Sequence, residues 1–204
     1  MSQPHRAYFN AIAPAWSGSA TAAVCQHLEN LGIQPGDRVL DLGSGKGLLA
    51  PLLRQLAGQE GLITAVDIAE QMLLGGKGRY AQHGIIPVCA DVSFLPWAAK
   101  SFDKVICFST FPHFRAPQQA LREIHRVLRP GGLLLIWHTC GSAQLNEFHA
   151  RLSGIVASDH LPSSASLAEL LKTNGFEVVE CREHPELYWV AAKRATAVHE
   201  ILIL

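Results

Sequence analysis

Apolar residues in this chain fall in short runs separated by stretches with helical spacing. Val39 and Leu40, ending at Asp41, read as a first strand, introduced by the turn Gln34-Pro35-Gly36-Asp37. Leu48 to Leu56 reads as a helix, with Pro51 in its first turn, where a missing N–H is tolerated, and Gly58 at its end. Leu62 to Val66 before Asp67, Ile85 to Cys89 before Asp91, and Phe102 to Phe108 predict three further strands. Leu121, Ile124 and Leu128 share one face of a helix over Pro117 to Leu128, which Arg129-Pro130-Gly131-Gly132 stops; Leu133 to Trp137 is then a fifth strand. This alternation predicts βαβ units and a mostly parallel sheet. The near-continuous apolar runs suit strands covered on both faces. Phe176 to Cys181 and Leu187 to Ala192 are joined by His184-Pro185-Glu186, too short for a crossover helix, so these two strands should be antiparallel. Helical stretches are expected at His5 to Ala13, Ser17 to Leu31, Ser142 to Leu152 and Ser164 to Leu171.

Composition narrows the function classes. With 204 residues, one decorated α/β domain is expected, large enough to fold without disulfide or metal staples. Lys plus Arg and Asp plus Glu are both 17, with no basic cluster, which argues against a nucleic-acid partner. The apolar runs are too short to span a bilayer. The opening MSQPHRAYFN lacks a signal-peptide pattern, and the five scattered cysteines include no C-x-x-C, so a cytoplasmic protein with reduced thiols is expected.

The richest chemical signal is Val39-Leu-Asp-Leu-Gly-Ser-Gly-Lys-Gly47, a strand running into glycines that open a helix. In open α/β sheets such a turn is the floor of a ligand site. Dinucleotides favour G-x-G-x-x-G; here Gly43, Gly45 and Gly47 give G-x-G-x-G with Leu48 next. Asp41, two residues before the first glycine, would repel a pyrophosphate and suits a ligand that carries a cation. Asp67 can accept the hydroxyls of a ribose, and Asp91 can accept from an exocyclic amino group. One acid at a strand end is ordinarily a turn former; three on one rim, joined to a glycine turn, point to a nucleoside site. Gly75, Gly76 and Gly78 predict a short or frayed helix after Asp67.

VLDLGSGKG, AVDIAEQML, CADVSFLPW, SFDKVICFSTFPHF and REIHRVLRPGG resemble, in order and spacing, the motifs of the class I S-adenosylmethionine-dependent methyltransferases, and within them the ubiquinone/menaquinone-biosynthesis C-methyltransferase-like subgroup. The resemblance runs over roughly residues 5 to 194, and RAYFNAIAPAWS resembles the subgroup's N-terminal helix, which closes over the cofactor. It implies an α/β Rossmann-like three-layer sandwich: a seven-stranded, mostly parallel sheet with an antiparallel last strand. It implies S-adenosyl-L-methionine as cofactor, with Gly43 and Gly45 at the methionine part, Ser44 among the cofactor-binding residues, Asp67 on the ribose, Ile68 and Val92 flanking the adenine, and Asp91 on its amino group. Phe108 and Ser109 would line the methionine end, and Asp41 and Met72 complete the expected cofactor set. The expected division is an N-terminal helical cap (1–36), the cofactor domain (37–194, with a helical insertion at 140–172) and a tail (195–204).

Methyl transfer from a sulfonium asks mainly for alignment and a dry pocket, with a base near pH 7 where the acceptor carries a proton. His113 and His138 lie just beyond strands four and five, and Asn146 and His149 share a helical face. The expectation is that His113, His138, Asn146, His149 and Asp159 converge on the acceptor, with His113, His138 and His149 as catalytic candidates. No metal is expected, since these spacings match no established zinc pattern. His125 is assigned to the helix dipole, which favours a cation there, and His5, His27, His83, His184 and His199 to surface or turn positions. Within the family, Ser109-Thr-Phe-Pro-His113 does not match the motif of DNA amino-methylating enzymes, Cys107 is not preceded by Pro as in cytosine C5 enzymes, and no carboxylates stand where metal-dependent catechol-type enzymes place them. Phe94, Trp97, Phe108, Phe111 and Phe114 are expected to form an apolar wall for a small-molecule acceptor. The alternatives are an NAD(P)-linked oxidoreductase and a non-catalytic S-adenosylmethionine-binding module; a homodimer is left open.

Overall fold

The computed structural model describes residues 3–17, 22–29 and 31–196. In chain order the elements are α1 (Gln3–Ile12), α2 (Ala22–Glu29), β1 (Arg38–Leu42), α3 (Ala50–Ala57), β2 (Leu62–Asp67), α4 (Glu70–Gly75), α5 (Lys77–Gln82), β3 (Ile86–Cys89), β4 (Phe102–Phe108), α6 (Pro117–Val127), β5 (Leu128–His138), α7 (Ser142–Arg151), α8 (Ser164–Thr173), β6 (Phe176–His184) and β7 (Leu187–Arg194). The strands form one sheet in the order β3-β2-β1-β4-β5-β7-β6. The first five run parallel, β7 pairs antiparallel with β5, and β6 pairs antiparallel with β7, as the short hairpin required. The chain reverses its direction of travel across the sheet between β1 and β4, so their carboxyl ends flank the crevice where such folds bind ligands.

Alternation along the strands divides the core between the two faces. Val39, Ile63, Ile106, Leu135 and Trp137 face α2 and α3, where Leu28 and Leu53 are fully buried. Leu40, Leu42, Val105, Cys107, Leu134 and Ile136 face α6 and α8, against Leu121, Ile124, Leu167 and Leu171. Both faces are therefore apolar, which is why the strands read as continuous runs rather than alternating ones.

Several boundaries depart from expectation. The fifth strand begins five residues before its expected start, at Leu128, because Arg129-Pro-Gly-Gly132 forms an irregularity inside β5 rather than a separate turn. The helix after Asp67 is broken into α4 and α5 at Gly76, where a Cβ would lie 2.8 Å from the Lys46 backbone. The glycine cost in helix propensity thus lets this segment press against the loop after β1. His125 is not held as a cation: its half-buried ring sits edge-on to Phe176, and burial, then Arg194, lowers its pKa. His27 is not a bare surface residue, since its ring stacks on Trp137 at 5.6 Å. The expected tail from 197 onward, with His199, lies outside the described residues. No helix among the described residues is long and apolar enough to cross a membrane.

Candidate active site

The turn after β1 forms because Gly43, Gly45 and Gly47 all take left-handed backbone angles, with φ of 69°, 57° and 75°. Two of the three are also closed to a side chain. A Cβ on Gly43 would lie 2.1 Å from Thr110 Oγ1, and one on Gly47 would lie 2.6 Å from the Tyr80 ring. A Cβ on Gly45 would meet nothing within 4 Å, and Gly45 lines the cavity. The amides of Gly43 and Ser44 donate to the Val66 carbonyl at 2.7 and 2.9 Å, and the amide of Gly45 donates to Asp67 Oδ2 at 2.9 Å. Tyr80, fully buried, locks the turn: its hydroxyl donates to the Gly45 carbonyl at 2.9 Å and accepts from Ser44 Oγ at 2.9 Å. Sequence reasoning missed Tyr80 and Thr110, which come from a distant helix and strand end and match no motif.

The strand-end acids form a staircase rather than one level. Asp41 pairs with Ala65, two residues short of Asp67, and Asp67 pairs with Cys89, two residues short of Asp91. Each step is about 6.6 Å at the rise of a parallel strand. The lowest acid, Asp41, lies below the cavity floor made by Leu42 and Gly43 and is 3% exposed. Burial, with a smaller push from Asp67, raises its pKa to about 7. Asp41 therefore does not line the cavity as expected, and near neutral pH it is only partly ionised. Asp67 does line it. Its Oδ1 accepts the Ala69 amide at 2.8 Å and its Oδ2 that of Gly45; burial raises its pKa against the lowering effect of these bonds. Asp91 also lines the cavity, and its Oδ1 accepts the Ser93 amide at 2.9 Å, capping a short helical turn at Val92–Phe94.

The cavity has a volume of about 940 Å³. Ser44, Ile68, Met72, Val92, Phe108 and Ser109 all lie on its wall. Ser109 adopts φ of 52°, a strained angle for a side-chain-bearing residue, and its amide donates to the Trp137 carbonyl at 2.9 Å. Of the expected aromatic wall, Phe94, Phe108 and Phe114 border the cavity. Phe111, on the turn at 111–113, is instead buried in the core, and Trp97 packs edge-on against Phe102.

The N-terminal segment covers the cavity. Pro4, His5, Phe9 and Trp16 line it, and Phe9, Ile12 and Ala13 pack on Met72. Polar ties hold the cover in place: Arg6 Nε to Glu70 at 2.9 Å, the Gln71 amide to Asn10 Oδ1 at 3.0 Å, and Lys46 Nζ to the Trp16 carbonyl at 2.8 Å. The Arg6 bond is the main reason the Glu70 carboxyl falls to about 2.

The histidine cluster forms, with different membership from that expected. His113 lines the cavity, and its Nδ1 lies 2.6 Å from Asp159 Oδ2. His149 donates from Nδ1 to the Asp159 carbonyl at 3.0 Å and stands behind His113, off the cavity wall; burial lowers its pKa. His138 is a correction: its ring lies within β5 beside Tyr188, off the cavity wall. Burial, then the charges of His113 and His149, depress its pKa to about 3, so it cannot act as a base near neutrality. Asn146 is another, since its amide group exchanges two bonds with the Leu161 backbone and so clamps the chain instead of reaching the site. His5 is the third: expected at the surface, it is 2% exposed, and Nε2 lies 2.9 Å from both oxygens of Asp159. Burial raises the Asp159 pKa, but the bonds from His113 and His5 outweigh it and the net shift is downward.

Whether these residues fit S-adenosylmethionine can be judged from the chain alone. The site offers bare backbone at Gly45, carboxylates on two successive strand ends and apolar side chains between them, which suits a nucleoside joined to a compact cationic group. Residues 40–136 match the family described as "Methyltransferase domain". The chain is 34% identical over 113 residues to the ubiquinone/menaquinone biosynthesis C-methyltransferase UbiE of Teredinibacter turnerae, covering 53% of this chain and 45% of the relative. It is 31% identical over 164 residues to the protein of the same name from Hahella chejuensis, covering 78% and 65%. The chain thus spans less than two thirds of these relatives' own length. A SAM-dependent methyltransferase from Aquifex aeolicus shares the fold, with a TM-score of 0.70 and 23% identity over 83% of this chain and 88% of that one. Sheet order, glycine turn and family match agree: residues 40–136 match a methyltransferase-domain family, and the chain is similar to the ubiquinone/menaquinone biosynthesis C-methyltransferases.

Proposed function

We propose that this chain transfers a methyl group from S-adenosylmethionine to a small-molecule acceptor bound in the same cavity. The observation that carries the reading is the glycine turn opening onto a cavity whose rim bears Asp67 and Asp91 on adjoining strand ends. A cavity of about 940 Å³ is at the upper end of the ~300–1,000 Å³ common for small ligands, which supports a second molecule beside a nucleoside. The cofactor, when bound, supplies an electrophilic methyl group on a good leaving group.

Every other contribution comes from the chain. The backbone at Ser44 and Gly45 and the carboxylates of Asp67 and Asp91 orient the nucleoside. The cover formed by Phe9, Met72 and Trp16 excludes water, which strengthens each polar contact inside. His113, which lines the cavity, forms the acceptor-activating group with its Asp159 partner. The relatives named as C-methyltransferases support enolic and phenolic compounds as the first acceptors to test. Cys89, Cys107, Cys140 and Cys181 are all unpaired thiols, which supports a cytoplasmic setting. The balanced charge supports an acceptor other than nucleic acid.

The test is calorimetry with S-adenosylhomocysteine, followed by mass spectrometry of a panel of apolar hydroxyl-bearing acceptors. Binding with methylated product supports the reading. No heat with S-adenosylhomocysteine, or firm binding of NAD instead, overturns it, and tight binding without product from any acceptor supports the non-catalytic module.

A further inference from the structure

Three side chains from distant parts of the chain meet beside the cavity. His5 arrives on α1, His113 on the turn after β4, and Asp159 on the loop between α7 and α8. His5 Nε2 is 2.9 Å from each Asp159 carboxylate oxygen, and His113 Nδ1 is 2.6 Å from one of them. One donor atom from each residue lies within 4.8 Å of the other two. His5 and Asp159 are buried, and His5 and His113 border the cavity.

We infer that His5, His113 and Asp159 form a binding site for a divalent transition-metal ion of the zinc or iron(II) type. An ion with bonds of about 2.0–2.2 Å to nitrogen and oxygen sets adjacent donor atoms about 3 Å apart, so these side chains need little movement to receive it. Two imidazoles and one carboxylate are the donor set of open, reactive centres: three protein ligands leave coordination positions free, here on the side of the cavity. Binding requires neutral imidazoles only. Each ring carries its proton on the far nitrogen and offers the near lone pair to the ion.

The surroundings hold this geometry. His149 donates to the Asp159 carbonyl at 3.0 Å and fixes the loop that presents the carboxylate. Behind it, the ring of His138 is 2% exposed and its Nε2 has no hydrogen-bond partner among the described residues.

The role of the ion rests on the methyltransferase reading; its binding does not. A hydroxyl-bearing acceptor that coordinates the ion becomes more acidic. Its O–H bond breaks, the proton goes to water, and the electron pair stays on oxygen or spreads to a conjugated carbon. No oxidant or reductant is involved.

The test uses the full chain, stripped with a chelator and titrated with Co²⁺ and then Zn²⁺. We expect one equivalent of Co²⁺ per chain, visible absorption of the bound ion, and displacement by Zn²⁺. His5→Ala and Asp159→Asn should each weaken Co²⁺ binding by about 100-fold or more, beyond the 10–100-fold typical of losing an outer partner. His160→Ala, an exposed neighbour outside the cluster, should leave it unchanged. Wild-type chain that takes up no stoichiometric Co²⁺ overturns the proposal without recourse to any variant, as does equal affinity in wild type, His5→Ala and Asp159→Asn. S-adenosylhomocysteine calorimetry on the same samples separates the two claims, since loss of that signal with Co²⁺ binding intact removes the methyltransferase reading and leaves the metal site.

Discussion

Asp41→Asn isolates the one strand-end acid that lies beneath the cavity. Its carboxyl is fully buried, and its pKa rises from the ordinary 3.8 to about 7, chiefly through burial and then through Asp67. A raised carboxyl pKa in the folded state means that folding opposes ionisation. The penalty is absent below pH 4, where the group is protonated folded and unfolded alike. It grows between pH 4 and 7, as the unfolded chain ionises and the folded one does not, and is constant above about pH 7. At 1.36 kcal/mol per pH unit, the wild type carries a penalty of roughly 1.5 kcal/mol at pH 5 and roughly 4 kcal/mol at pH 8. Asparagine fills nearly the same volume and does not titrate. The stability of Asp41→Asn relative to wild type should therefore rise by about 2.5 kcal/mol from pH 5 to pH 8, whatever constant offset the amide introduces. Urea unfolding at both pH values, with matched m-values, measures this. Parallel stability curves for the two proteins would refute the reasoning, because they would mean that Asp41 ionises equally in the folded and unfolded chain.

Gly43→Ala should lose the thermal shift given by S-adenosylhomocysteine and destabilise the fold by more than about 2 kcal/mol, since its φ is positive and its Cβ would meet Thr110. Glu183→Ala should cost about 2 kcal/mol in urea unfolding: the carboxylate accepts the amide of Ser142 at 2.8 Å and that of Ser164 at 2.7 Å, capping the starts of α7 and α8 together. Tyr80→Phe removes the hydroxyl that ties Gly45 and Ser44, and should weaken S-adenosylhomocysteine binding by roughly tenfold, about 1.4 kcal/mol by calorimetry, with the helices intact by circular dichroism. His113→Ala should abolish product formation from any active acceptor while leaving S-adenosylhomocysteine affinity within about twofold, because its side chain is bonded to Asp159 rather than to the glycine turn, Asp67 or Asp91.

Local physics made part of this protein readable from its residues. Strand and helix periods, Gly43, Gly45 and Gly47 in positive φ, and acids at strand ends are short-range facts: backbone sterics and the need to bury apolar runs act within ten residues or so. They carried the sheet, the hairpin and the cofactor side of the cavity. The strand order and its register decided the rest. Staggering β1, β2 and β3 by two residues drops Asp41 below the floor while Asp67 and Asp91 reach the rim. Packing brought Tyr80 and Thr110 onto the glycine turn, kept His138 inside β5, and swung α1 over the site so that His5, 154 positions away, meets Asp159. No periodicity encodes such meetings, because the free energy that fixes them comes from burying surfaces on elements far apart in the chain, and those surfaces exist only once the sheet has assembled.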